Sequence, residues 1–183
     1  TCLLCLVEPF VAIWLGQDFV LTKAILILAV AIYYFKGINS GIDIAKNAAG
    51  LYYPDRFIPM AEAIANMVIS IVLAKRYGIA GVLFGTLVSF LALSFWAKPY
   101  FVCRDVFEVS FARYAVREGR EIVVSVLVAA GTWYAVSLVS LENMLLSFGV
   151  KALLALVLSN GLLLLVYFKT SEFQYLRGLL ENA

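Results

Sequence analysis

Residues 21–47 read LTKAILILAVAIYYFKGINSGIDIAKN, an apolar run that turns polar before it ends. Lys36, Ser40, Asp43 and Asn47 fall at i, i+4, i+7 and i+11, which places them on one face of a helix. The run exceeds the roughly 20 apolar residues that a helix needs to cross a bilayer, so its polar end can protrude. Counted from Leu21, Lys36 lies inside the hydrocarbon near its edge, where a charge is costly unless it meets a cavity or a partner. Two readings follow. Lys36 faces water and attracts an anionic head group such as a phosphate, with Ser40 and Asn47 offering neutral hydrogen bonds, or Lys36 snorkels and the stripe is a solvated helix end. Gly37 and Gly41 beside the stripe suit either a helix that bends or one that packs closely.

The rest of the chain has the same solvent. Of its 183 residues, 64% are hydrophobic and the mean hydropathy is +0.97, against roughly 45–50% apolar content in soluble domains. Charged residues, 14% of the total, gather between apolar runs. A net charge of +2 is too small to suggest nucleic acid. Histidine is absent, which removes the commonest general base and metal ligand; neither an enzyme nor a metal or other cofactor is expected. Cys2 and Cys5 form a C-x-x-C without a second pair at metal-ligand spacing and read as two small core residues one turn apart. The chain opens at Thr1 inside an apolar run without a basic leader, which reads as a cut end rather than a signal peptide.

Working outward from residues 21–47, apolar runs predict an all-α polytopic transmembrane bundle of about six spans. The first, Thr1–Gly16, is short, carries Glu8-Pro9 and is read as a truncated helix kinked at proline. After the polar loop GLYYPDRF come a span from Pro59 to Lys75, a turn at Arg76-Tyr77-Gly78 and a span from Ile79 to about Phe101. From Cys103 to Arg120, Phe107, Phe111 and Tyr114 share one face while Arg113, Arg117 and Arg120 share another, the pattern of an amphipathic interfacial helix. Spans at Ile122–Ser140 and Leu146–Phe168 follow. The organisation expected is four helices in 1–102, the interfacial helix in 103–120, two further spans in 121–168 and a polar tail in 169–183.

Alternate loops carry unequal positive charge: Lys46, Arg56, Lys98, Arg104, Arg113, Arg117, Arg120, Lys169 and Arg177 on one side, Lys23, Lys75 and Arg76 on the other. The positive-inside rule makes the first side, and with it the C-terminus, cytoplasmic. Glu8, beside a helix break, and Asp43 are the candidate ion-coupling carboxylates. Glu62, in the first turn of its span, suits a helix-dipole partner, and Asn66 suits a bond to a neighbouring helix. Gly81, Gly85, Thr86 and Ser89 form a small-residue face that permits close approach.

Gly50-Leu-Tyr-Tyr-Pro-Asp-Arg, Asn66, Ser70, Leu73, Tyr77-Gly78-Ile79-Ala80-Gly81-Val82, Gly85-Thr86, Trp96 and Lys98-Pro99, with Trp14-Leu15-Gly16 before them, together resemble the C-terminal half of a bacterial polysaccharide flippase. The family is the polysaccharide and O-antigen branch of the multidrug/oligosaccharidyl-lipid/polysaccharide exporter superfamily. The likeness covers about residues 9–105; the remainder adds only compatible hydropathy. It implies one lobe of a two-lobed transporter in the bacterial cytoplasmic membrane. Such a lobe encloses, with an N-terminal lobe of the same protein that this chain lacks, a cationic cavity. The implied partners are membrane lipids and a sugar unit carried on a polyprenyl pyrophosphate, moved by alternating access. Lys36 would then be a cavity cation for the pyrophosphate, and the helices carrying Asn66 and Thr86 would be lobe scaffold. A multidrug exporter of the same superfamily would favour an acidic, aromatic pocket over Lys36, and a non-transporting membrane scaffold would need no cavity. A membrane polymerase or ligase would call for a larger outward loop than GQDFV, RYG or LENM.

Overall fold

The computed structural model describes residues 1–53, 56–139 and 144–168. These form helices α1 (Cys2–Trp14), α2 (Lys23–Ala48), α3 (Ile58–Ala92), α4 (Ser94–Asp105), α5 (Phe111–Ser137) and α6 (Met144–Tyr167), with a single 3₁₀ turn at Gln17–Phe19. No strand occurs among the described residues. Pro54, Asp55, most of the LENM link and the tail with Lys169 and Arg177 lie outside them. Four stretches, Lys23–Ala48, Ile58–Asp105, Phe111–Ser137 and Leu146–Tyr167, are long and apolar enough to cross a membrane, and Cys2–Trp14 is a shorter apolar helix. These windows bury only 11–33% of their residues within the protein. So much uncovered apolar surface suits a lipid solvent and no aqueous one.

Two compact units divide the chain. One contains residues 21–120. Its centre is α3, which at Gly78 leaves helical geometry (φ 57°, ψ −134°). That conformation is closed to side chains with a Cβ. There the chain folds back, so that α3 is a hairpin with arms 58–77 and 79–92. The arms touch closely: a Cβ on Gly81 would meet the Leu73 carbonyl, and one on Gly85 would stand 2.9 Å from the Ser70 nitrogen. The Asn66 side-chain oxygen accepts bonds from Ser70 Oγ (2.8 Å) on its own arm and Thr86 Oγ1 (3.2 Å) on the other. Ile58–Asp105 is therefore not one rod of about 72 Å but a chain that reverses, each limb near bilayer thickness.

At Leu93 (φ −113°, ψ −73°) the hairpin's second arm gives way to α4, which buries Phe95, Pro99, Val102 and Cys103. Helices α2, α3 and α4 meet on aromatic rings: Phe95 stands edge-on to Phe35 (5.3 Å between centroids), Phe90 (6.2 Å) and Trp96 (4.8 Å). Edge-to-face pairs at these separations add directional attraction to area burial.

The other unit holds residues 1–20 and 121–183. In it α1 packs on α6 around buried Cys5, Val136 and Ala155, with Cys2, Leu6 and Leu154 against them, and Phe10 meets Phe148. Both cysteines are thus packing residues and carry free thiols. Helix α1 runs on through Pro9.

One expectation is corrected. Residues 103–120 are not a separate interfacial helix: Cys103–Asp105 end α4, residues 106–110 are non-helical, and Phe111 starts a helix that continues unbroken past Arg120 to Ser137. The change from charged to apolar residues near Arg120 marks a change of solvent, which does not end a helix. The break falls instead where Glu108 takes a left-handed φ of 52°.

Candidate functional site

Helix α2 presents its polar residues in two directions. Asn39 and Ile42 are buried, Asp43 is half-buried, and Lys36, Ser40 and Asn47 are exposed. The buried direction faces α4. Asn39 Nδ2 donates to the Ser94 carbonyl (3.3 Å), and one turn further on Lys98 Nζ lies 3.0 Å and 3.1 Å from the two Asp43 carboxylate oxygens. The residues of each pair are 55 positions apart. A constant offset means that α2 and α4 run side by side in the same direction, as a hairpin inserted between them requires. The Ser94 hydroxyl in turn donates to Glu62 Oε2 on the first arm of α3. The cluster thus ties three helices through Asn39, Asp43, Glu62, Ser94 and Lys98.

Its electrostatics are uneven. Asp43 and Lys98, with side chains 36% and 17% exposed, neutralise each other. Asn39 is 2% exposed, and its side-chain oxygen has no partner among the described residues. A buried acceptor without a donor is costly, on the order of 1–3 kcal/mol. Lys36 reaches out over the Phe90 ring at 6.0 Å from the centroid, the outer limit of a cation–π contact, and meets no carboxylate among the described residues. Among the described residues it has no countercharge, and it is able to hold an anion.

The residues singled out from sequence are therefore only partly gathered. Asp43 belongs to the cluster, as an ion-pair partner. Ser40 donates to the Gly37 carbonyl of its own helix (2.6 Å), leaving its lone pairs for another group. Asn47 lies eleven residues beyond Lys36, about 16 Å along the axis, so the two contact one ligand together only if it is extended. Glu8, in the other unit, is exposed and joins no ion pair with described residues.

Sequence reasoning missed Asn39 and Lys98. Asn39 was detectable as a lone amide three residues after Lys36 and four before Asp43 in an apolar run. Lys98 sits directly before Pro99 near Trp96 and Tyr100, a setting that reads as interfacial. No signal in the sequence pairs it with Asp43. No family model matches the chain, and neither a curated protein nor a solved structure matches it.

Proposed function

We propose that this chain is one lobe of a flippase that carries polyprenyl-pyrophosphate-linked sugar units across the bacterial cytoplasmic membrane by alternating access. The observation that carries the proposal is Lys36: an exposed lysine with no carboxylate partner among the described residues, where the apolar first half of α2 gives way to its polar end, beside the Ser40 hydroxyl. Ionisable residues kept in such places generally serve a pathway or ligand. A diphosphate supplies the countercharge. The proposal takes the two limbs of Ile58–Asp105 as separate crossings and Cys2–Trp14, a shorter apolar helix, as a truncated one, which makes the six spans expected of one lobe. In this proposal an N-terminal lobe completes the cavity, the tail is cytoplasmic, Glu8 is the free carboxylate for a coupling ion, and no bond is made or broken in the substrate.

The test is flipping of lipid-linked sugar by the complete protein with Lys36→Ala and Lys36→Arg. The alanine variant is expected to lower surface polysaccharide and the arginine variant to preserve it. Unchanged polysaccharide with Lys36→Ala, at normal protein level, removes the assigned role.

A second reading, a non-transporting membrane scaffold, is favoured by one observation: Asn39 and Asp43 are both spent on holding α4. Under that reading Lys36→Ala changes nothing, while disruption of Asp43–Lys98 abolishes assembly.

A further inference from the structure

Within residues 21–120 the start of α3, the end of its second arm, the middle of α4 and the first residue of α5 line an open groove of about 530 Å³, within the roughly 300–1,000 Å³ range of small-ligand sites. Phe57, Trp96, Tyr100, Phe101 and Phe111 wall it, with Ala97 among the small residues between them. Trp96 and Tyr100 stand edge-on to Phe111 at 6.3 Å and 5.7 Å, so the walls brace one another. Among the described residues no charged side chain lines the groove, and two arginines stand at its margin. The Arg56 guanidinium lies 4.5 Å from the Phe57 ring, and that of Arg104 lies 5.7 Å and 5.5 Å from the Tyr100 and Phe101 rings. Each arginine therefore stacks on a residue of the wall. Chain order places both beyond the Glu62–Ser94 contact: Arg56 precedes Glu62, in the turn before the first arm of α3, and Arg104 follows Ser94 near the end of α4.

An apolar slot open on one side and cationic at its margin is complementary to an amphiphile with one apolar chain to lay down and a phosphate to present. We infer that the groove seats an anionic phospholipid, an acyl chain lying against the aromatic walls and the phosphodiester meeting Arg56 and Arg104. Arg104 gives two N–H bonds to Asp105 (2.6 Å and 3.0 Å). The Tyr100 hydroxyl is a further hydrogen-bond partner of Arg104; a guanidinium has five N–H donors, so donors still remain for a phosphate. The Asp105 carboxylate competes for Arg104, which makes Arg56, stacked on Tyr53 and Phe57, the stronger contact. The inference requires these helices to lie in a membrane and does not depend on what, if anything, the protein transports.

Native mass spectrometry of the full chain in detergent tests it, with phosphatidylglycerol and phosphatidylcholine of identical acyl chains as probes. Phosphatidylglycerol is expected to be retained as a single adduct at lower concentration than phosphatidylcholine. Arg56→Gln should weaken retention about fivefold, the worth of one basic residue at an anionic lipid surface, and Arg104→Gln by the same or less. Ala97→Phe fills the slot without changing charge and should remove both adducts. Helical content by circular dichroism confirms that each variant is folded, and Arg56→Lys should restore most of the preference. Equal retention of the two lipids, or unchanged phosphatidylglycerol binding by folded Arg56→Gln and Ala97→Phe, overturns the inference. So does loss of a dimer in place of a lipid in Ala97→Phe, which would make a second copy the occupant. A polyprenyl phosphate that binds through Arg56 and is not displaced by phosphatidylglycerol also overturns it.

Discussion

Asp43 and Lys98 close an ion pair at 3.0 Å, and Asn39 and Ser94, one turn earlier on both helices, close the rung beside it. Because both rungs share one offset, the charges fix the register of α2 against α4 as well as holding the helices together. Reversing one charge, Asp43→Lys, should lower stability in detergent micelles, and the double exchange Asp43→Lys/Lys98→Asp should recover part of the loss. The coupling expected is about 1 kcal/mol, because the carboxylate is over a third exposed and falls between surface and buried pairs. Additive effects in that cycle would mean that the pair sets no register.

Gly78 carries the reversal of α3. Gly78→Ala forces a Cβ into φ 57°, ψ −134°, a strain of about 1–3 kcal/mol. The variant should unfold at lower denaturant concentration in mixed micelles, and Gly37→Ala, at an exposed site with nothing within 4 Å of the added Cβ, should not.

Gly85 acts by proximity. A Cβ there runs into the backbone of Ser70, so Gly85→Val must part the arms and stretch the Asn66–Thr86 bond. The expected cost is about 1–3 kcal/mol for overpacking. Asn66→Ala alone should cost less, about 0.6 kcal/mol, typical of a single interhelical hydrogen bond in a membrane. Cysteines introduced on the two arms would report the separation by cross-linking: slower in Gly85→Val, unchanged in Asn66→Ala if the packing is dominant.

Glu108 is a non-glycine residue in the left-handed region, at φ 52°. Glu108→Gly relieves that strain and should raise stability by about 0.5–1 kcal/mol. A fall in melting temperature would show that the Glu108 side chain makes a contact worth more than the strain.

Much of the hairpin was legible in advance. Arg76-Tyr77-Gly78 stands between two apolar runs, and glycine at its end marks the reversal. The small residues Gly81 and Gly85 then predict the close contact, because nothing larger fits between facing backbones. The polar stripe on α2 was legible in spacing but not in phase. A helical period relates Lys36, Ser40, Asp43 and Asn47 to one another, yet residue 39 lies only one step of about 100° from residue 40. Which of the two points inward depends on where α4 packs. That is a tertiary fact, and so is the choice of Lys98 as partner. The continuity of α5 escaped for a different reason. Hydropathy reports the surroundings of a segment, whereas helix ends are set by backbone hydrogen bonds and by residues such as Glu108 that leave them.

The hairpin of α3 also bears on how the protein is made. Its closing bond joins Asn66 to Thr86, only 20 residues apart, and the steric contacts of Gly81 and Gly85 lie nearer still to the turn. Contacts so local form early and fast. During synthesis the two arms have what they need to pair before α4 has left the ribosome, so this segment can enter the bilayer as a preassembled couple. The rungs to α2 close later, when Ser94 and Lys98 arrive beside a helix already in place.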